Sequence, residues 1–242
     1  MITAEGIHKN FGKKKVLEGV SATFNAGECS LIIGKSGAGK TVFLKCLVGL
    51  ETPDEGEVLF DGRDITRMDD EQETKIRQEM GMLFQGSALF DSMSLFDNVL
   101  FPIMMFSKLK RRERHARVKE CLSRVQLWDA RYKYPDEISG GMKKRGAIAR
   151  AIAMNPKYLF CDEPTSGLDP ATSKVIDGLL REITRENNIT TIVNTHDMNS
   201  VKNIGDKVIF LNEGKIDWEG KGTEIEKSDN QLLKNFVFIS QL

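Results

Sequence analysis

A chain of 242 residues, 40% of them hydrophobic, is long enough for one large domain or for a domain with a sizeable insertion. Its 35 Lys and Arg residues balance 35 Asp and Glu, and this neutrality argues against a dedicated nucleic-acid binder. The most apolar run, "VLFPIMMF" at 99–106, is far short of the roughly 18–20 residues a membrane span needs. The opening "MITAEGIHKNF" has no signal-peptide core, so the chain is expected to be soluble and cytoplasmic, reaching a membrane only through a partner.

Apolar, β-branched runs predict strands at 15–24, 29–34, 56–62, 158–163 and 190–196, with a hairpin over 207–220. Helical patterns cover 40–50, 173–187 and 200–205. Strand–helix alternation with nearly continuous apolar strands predicts a mostly parallel sheet with helices on both faces. Residues 86–156 carry no convincing strand. The segments "SLFDNVLFPIMMF", "RRERHARVKECLSRVQL" and "MKKRGAIARAIAMN" read as helices. One domain over 1–242 is therefore expected, with a core of 1–85 and 157–242 and an inserted helical subdomain at 86–156. Cys29, Cys46, Cys121 and Cys161 make no metal-like spacing with the three histidines and read as small buried residues in a reducing compartment.

The segment "GKSGAGKT" at 34–41 fits GxxxxGK[ST] and lies between a predicted strand and a predicted helix, the setting in which that pattern signifies a phosphate loop. Gly34, Gly37 and Gly39 leave room for backbone N–H groups to approach an anion. Lys35, Ser36 and Ala38 complete the loop, and Val42 carries it into a helix whose N-terminus adds partial positive charge. Lys40 supplies a full charge for the β- and γ-phosphates, and Thr41 a hydroxyl for Mg²⁺. In "YLFCDEP" an apolar strand ends on Asp162 and Glu163, at the edge of the sheet where ligands bind in open α/β folds. Asp162 suits Mg²⁺, and Glu163 could polarise an attacking water. A lone histidine is more often structural, but His196 ends the following strand, where it could hydrogen-bond a γ-phosphate.

In this order the pieces resemble the ATP-binding cassette (ABC) family of ATPases: "GKSGAGKT" as Walker A, "YLFCDEP" as Walker B, "ISGGM" at 138–142 as signature motif, "SGLD" at 166–169 as D-loop and His196 as switch histidine. Gln85 in "GMLFQ" matches the Q-loop glutamine, and Phe11 in "KNFG" the aromatic residue that stacks on adenine. The resemblance implies a P-loop NTPase (RecA-like) core with N-terminal antiparallel strands and an inserted helical subdomain. It implies ATP and Mg²⁺ as cofactors, with Thr41, Gln85 and Asp162 on the metal and Lys40, Gln85, Glu163 and His196 as catalytic residues. It also implies a head-to-tail homodimer, in which Ser139, Gly140 and Gly141 face the partner's γ-phosphate, and an integral membrane permease.

Met142 after Ser-Gly-Gly and the stretch "GMLFQGSALFDSMSLFDNVLFP" at 81–102 resemble the ATPases of MCE-type lipid transporters. That branch implies traffic of phospholipid or other lipid between bacterial membranes, a place on the inner face of the inner membrane, an MCE substrate-binding protein and a small regulatory subunit. Other importers or exporters, for amino acids or lipoproteins, and the soluble ABC ATPases of iron–sulfur cluster assembly are the alternatives. The apolar helix after Gln85 offers a groove for a permease helix. The basic run at 107–119 reads as a solvated face, because Glu113 interrupts it. The apolar ending, with Phe236, Val237, Phe238, Ile239 and Leu242, is expected to dock on the core, the second subunit or a regulatory partner.

Overall fold

The computed structural model describes residues 1–239. The chain opens with two long strands, β1 (Ile2–Phe11) and β2 (Lys14–Phe24), then β3 (Cys29–Ile33) and helix α1 (Lys40–Leu47). Next come β4 (Glu55–Phe60), the two-residue β5 (Arg63–Asp64), α2 (Asp70–Gln78) and β6 (Met80–Leu83). Helices α3 (Leu95–Phe106), α4 (Arg111–Arg124) and α5 (Gly140–Ala151) follow without a strand among them. The chain then returns through β7 (Tyr158–Asp162), α6 (Pro170–Glu186), β8 (Thr190–Asn194), α7 (Met198–Ile204), β9 (Lys207–Asn212), β10 (Lys215–Gly220) and α8 (Gln231–Ile239). Leu242 and the Ile239 side chain lie outside what is described.

Two sheets result. The first is antiparallel, in the order β2-β1-β4-β5. The second has the order β10-β9-β3-β8-β7-β6 and is parallel except for β10, which returns beside β9. The interior strands of the second sheet are buried on both faces, so their apolar residues divide by the period of two. Ile32, Phe160, Ile192 and Ile209 face α1 and the antiparallel sheet, packing with Phe24, Phe43 and Phe60. Leu31, Leu159, Val193 and Val208 face the other way, onto α3 to α7. Each such fully buried Leu, Ile or Phe contributes roughly 1.5–3 kcal/mol.

The helices between β6 and β7 close over the second of these faces with Leu95, Val99, Val118 and Leu122. Ser94 starts α3 by accepting from the Asp97 N–H. Asn98 is fully buried and ties the preceding loop to the helix, donating to the Phe90, Met93 and Ser94 carbonyls while accepting from the Phe90 N–H at 2.8 Å. All four cysteines are buried and unpaired by disulfides. No helix of the described residues is long and apolar enough to cross a membrane.

Four elements were not anticipated from sequence: β1, the two-residue β5, α2 and β6. The β1 strand is irregular, with register shifts against β2 between Ala4 and Ile7 and beyond, and this breaks the alternation that marks a strand. The four residues of β6 are too few to show a period. Helix α2 buries one residue only, Ile76, so it lacks an apolar stripe. It is held instead by a capping box, in which Asp69 accepts from the Gln72 N–H at 2.8 Å.

Candidate ATP site

Strand β3 delivers the chain into the loop 34–39, and α1 begins at Lys40. The backbone there requires glycine. Gly34 has φ 151°, and a Cβ on it would sit 2.1 Å from the Leu211 carbonyl oxygen. Gly39 has φ 105°, and a Cβ would meet Leu17 Cδ2 and the Val16 oxygen at 2.9 Å. The loop is thus pressed against β9 and β2, and its fold is fixed by its neighbours. Lys40 donates to the Gly34 carbonyl at 2.7 Å and to the Lys35 carbonyl at 3.2 Å. Burial pulls its pKa below the usual lysine value, and the nearby Glu163 and Asp162 charges oppose that shift.

A cavity of about 900 Å³ opens above this loop. Of the residues singled out from sequence, Phe11, Gly34, Lys35, Ser36, Gly37, Gly39, Lys40, Thr41, Val42, Gln85, Glu163 and His196 line it. Ala38 is buried beneath the loop and does not. Phe11 stands at the rim, 47% exposed, with the Lys9 ammonium 5.4 Å from its ring centre. A flat exposed ring beside a phosphate cradle suits the base of a nucleotide.

Parallel pairing sets the acidic strand end and the histidine strand side by side, with Asp162 opposite Asn194. Asp162 does not line the cavity; its Oδ1 accepts from Asn194 Nδ2 at 3.1 Å. Glu163 is turned into the cavity by a left-handed φ of 50°. His196 Nδ1 lies 2.8 Å from Glu163 Oε2, but the two are not aligned as a hydrogen bond. Among the described residues Glu163 Oε2 is therefore a buried acceptor without an aligned hydrogen-bond donor, suited to take one from water.

Among the described residues no cluster of three or more His, Cys, Asp or Glu could hold a metal unaided. Mg²⁺ keeps waters and phosphate oxygens in its shell and takes only one or two protein ligands. The Thr41 hydroxyl and the Gln85 amide oxygen are hard oxygen donors that line the cavity, and the Asp162 carboxylate is next in the chain to Glu163, which also lines it.

Ser139, Gly140 and Gly141 are not in this cavity. With Asp169 and Leu168 they line a second one, of about 570 Å³. Ser139 caps α5, accepting from the Met142 N–H at 3.3 Å. Asp169 caps α6, accepting from the Thr172 N–H at 3.0 Å and the Thr172 hydroxyl at 2.5 Å. Two helix N-termini thus flank an open hollow, each with a short capping side chain.

Sequence reasoning missed Lys14, Val16 and Phe236 in the larger cavity. Lys14 and Val16 begin β2, directly after Phe11 and the turn, so proximity to Phe11 was the available signal. Phe236 comes from α8 and packs against Phe210 at a ring separation of 5.3 Å. Its signal was the apolar ending of the chain.

The family described as ABC transporter matches residues 17–166, more than half of the chain, and the protein belongs to that family. Its cassettes bind ATP with Mg²⁺ and hydrolyse it. The chain is 41% identical over 237 residues to the methionine import ATP-binding protein MetN of Clostridium tetani, covering 98% of this chain and 74% of that protein. It is 38% identical over 236 residues to the probable ribonucleotide transport ATP-binding protein mkl of Mycobacterium tuberculosis. That match covers 98% of this chain but 66% of the mycobacterial protein. Among solved structures, cbiO1 from Clostridium perfringens, part of the ABC transporter complex cbiONQ, superposes with a TM-score of 0.86 at 31% identity, covering 98% of each chain. The dimeric post-hydrolysis cassette MJ0796 bound to ADP and Pi gives 0.83 at 33% identity, over 91% of this chain and 98% of that one.

Proposed function

We propose that this chain is the ATP-hydrolysing subunit of an ABC transporter. It would work as a head-to-tail pair beneath a membrane permease, with the helices of 86–156 forming a subdomain inserted into the core of 1–85 and 157–242. The observation that carries the reading is the convergence of the phosphate loop, Gln85, Glu163 and His196 on one cavity. Lys40 and the loop amides bind the β- and γ-phosphates, and Phe11 takes the base. Thr41, Gln85 and Asp162 hold Mg²⁺, which neutralises phosphate charge when bound. Glu163 orients the attacking water through Oε2, and His196, 2.8 Å away, steadies the γ-phosphate beside it. Ser139, Gly140 and Gly141 then belong to the site of the second copy, which their separate hollow supports.

Glu163→Gln is expected to keep ATP binding and lower turnover by about 10²–10⁴-fold, the scale of a lost general base. Lys40→Ala is expected to weaken nucleotide binding itself. Steady-state hydrolysis with a fluorescent-nucleotide titration separates the two, and near-normal turnover of Glu163→Gln would remove that residue from its role.

For the cargo, we infer lipid traffic between bacterial membranes, with the chain peripheral on the inner face of the inner membrane and an MCE protein and a small regulatory subunit as further partners. Met142 and the 81–102 segment support it. That segment and the rest of α3 leave Phe90, Phe101, Met104, Met105 and Phe106 exposed, an apolar surface suited to a permease helix. The second reading is amino-acid import, favoured by the likeness to methionine import proteins. Isolation of the tagged chain from membranes decides between them: an MCE protein with the permease supports lipid transport, and a periplasmic amino-acid receptor supports import.

A further inference from the structure

Beside the catalytic cavity, several main-chain carbonyls turn away from it and into α5. Glu163, Ser87 and Ala88 have φ of 50°, 64° and 48°, a region that residues other than glycine seldom occupy. Glu163 is the more strained because Pro164 follows it, and a residue before proline is biased toward extended backbone. Its peptide units are pinned on both sides. The Glu163 N–H donates to the Asn194 carbonyl at 3.0 Å. The Glu163 carbonyl accepts from the Ser166 N–H at 3.3 Å and from the Lys144 ammonium at 3.2 Å.

Lys144 is the unexpected member. It stands in the basic run "MKKR", where a lysine would be read as solvated, yet it is 5% exposed. Among the described residues it makes no salt bridge: its ammonium donates to the Gln85 carbonyl and to the Glu163 carbonyl. A buried ammonium without a carboxylate is costly, and main-chain oxygens recover only part of the lost hydration. Arg150, later on the same helix, does the same for the left-handed loop after Gln85, donating to the Ala88 carbonyl at 2.7 Å and the Ser87 carbonyl at 3.2 Å. The oxygens that Lys144 holds belong to the two residues whose side chains face the Mg²⁺–phosphate end of the cavity.

We propose that Lys144 is a positioning residue for ATP hydrolysis: by holding the Gln85 and Glu163 carbonyls against α5, it keeps both side chains turned into the cavity. Without it the Glu163 peptide relaxes toward the extended form that Pro164 favours, and the carboxylate swings off the water. The inference rests on the assignment of Glu163 as the water-orienting group. It also gives α5 a double duty, since the same helix presents Ser139 to Gly141 at its N-terminus.

The test is steady-state hydrolysis, ATP affinity and thermal unfolding of the full chain as Lys144→Met, Lys144→Arg and Glu163→Gln. Lys144→Met is expected to lower kcat by about 10–100-fold, as a misplaced catalytic group does, while ATP affinity stays within about two-fold. Lys144→Arg is expected to recover most of that loss, because a guanidinium reaches the same carbonyls. In the Glu163→Gln background, Lys144→Met is expected to add little, since it acts through Glu163. A Lys144→Met chain with kcat within about two-fold of the parent overturns the proposal. So does parallel loss of kcat, affinity and thermal midpoint without rescue by arginine, which marks a purely structural role. Where Lys144→Met does not fold, Lys144→Gln takes its place with the same criteria. Full turnover in Glu163→Gln alone would instead remove the assignment on which the proposal rests.

Discussion

Around the larger cavity the buried groups of the loop and the acidic strand end are held in place. Gly34 and Gly39 have no space for a methyl group, Lys40 is folded onto its own loop, and Glu163 is held in a backbone conformation it would not choose. Around the smaller cavity the capping residues Ser139 and Asp169 are exposed, and their bonds stay within a turn of their own helices. The first is a finished binding surface, preorganised by packing. The second is a pair of helix ends whose partial charge is available to something outside the chain. The contrast is the one expected if, as proposed above, a single copy builds most of one nucleotide site and offers a fragment of another.

The sharpest way to break this contrast is Gly34→Ala. With a Cβ at 2.1 Å from the Leu211 oxygen, either the loop or β9 must move, and a loss of about 4 kcal/mol or more is expected. Denaturant unfolding measures it, and nucleotide binding should fall with it. An alanine chain of parental stability would mean the loop is looser than described.

Gly141→Ala should act differently. A Cβ there would lie 2.6 Å from Thr172 Cγ2, and Thr172 is itself tied to Asp169. The α5 N-terminus must shift, so turnover is expected to fall about ten-fold or more, with nucleotide affinity of the isolated chain unchanged. Weakened affinity would show that the two cavities are not independent.

A smaller effect follows from the two aspartates of α6. Asp169, at its exposed start, is held below the usual carboxyl range by the Thr172 side chain. Asp177, two turns on, is 2% exposed and pushed up to about 6 by burial, with the Ser200 and Asn203 side chains opposing only part of the shift. A carboxyl whose pKa is higher in the folded state than its unfolded value near 3.8 binds protons better when folded. Its cost is therefore absent at low pH, grows as pH rises toward 6 and is fully present above. Asp177→Asn is expected to stabilise the chain by about 1–3 kcal/mol at pH 7.5, and the gain should fade in unfolding curves recorded below pH 4. A pH-independent difference would contradict the burial argument.

The smallest effect is expected from Met142→Gln. The Met142 amide caps on Ser139, and its side chain packs partly against the core. Neither task needs sulfur, and turnover should stay within about two-fold. A large loss would give the side chain a part in the second hollow.

What could be read in advance follows the same division. The phosphate loop, Asp162, Glu163 and His196 were legible because linear motifs set their chemistry and strand ends their position. The interior parallel strands were legible from runs such as "CSLII" and "YLFCD", buried on both faces; β6, at the sheet edge, was not. The β1 strand was not, because its bulges scatter the burial of Ile2, Ala4 and Ile7. Nor was Phe236, which reaches the cavity from the far end of the chain. Lys144 was the least legible of all. A lysine among Lys and Arg reads as a wet surface, and only the left-handed turns facing it explain why it is buried.

The placement of the cysteines has a practical consequence. Burial pushes the Cys29, Cys46 and Cys121 thiols up to about 11, and Cys161 higher still. At neutral pH fewer than about one such thiol in a thousand is a thiolate, the only reactive form. The native chain is thus expected to react slowly with maleimide dyes, and a single cysteine introduced at an exposed position should carry most of the label. Placed at exposed Glu137, just before the signature helix, such a dye could time the meeting of two cassettes without first stripping the chain of its own sulfur.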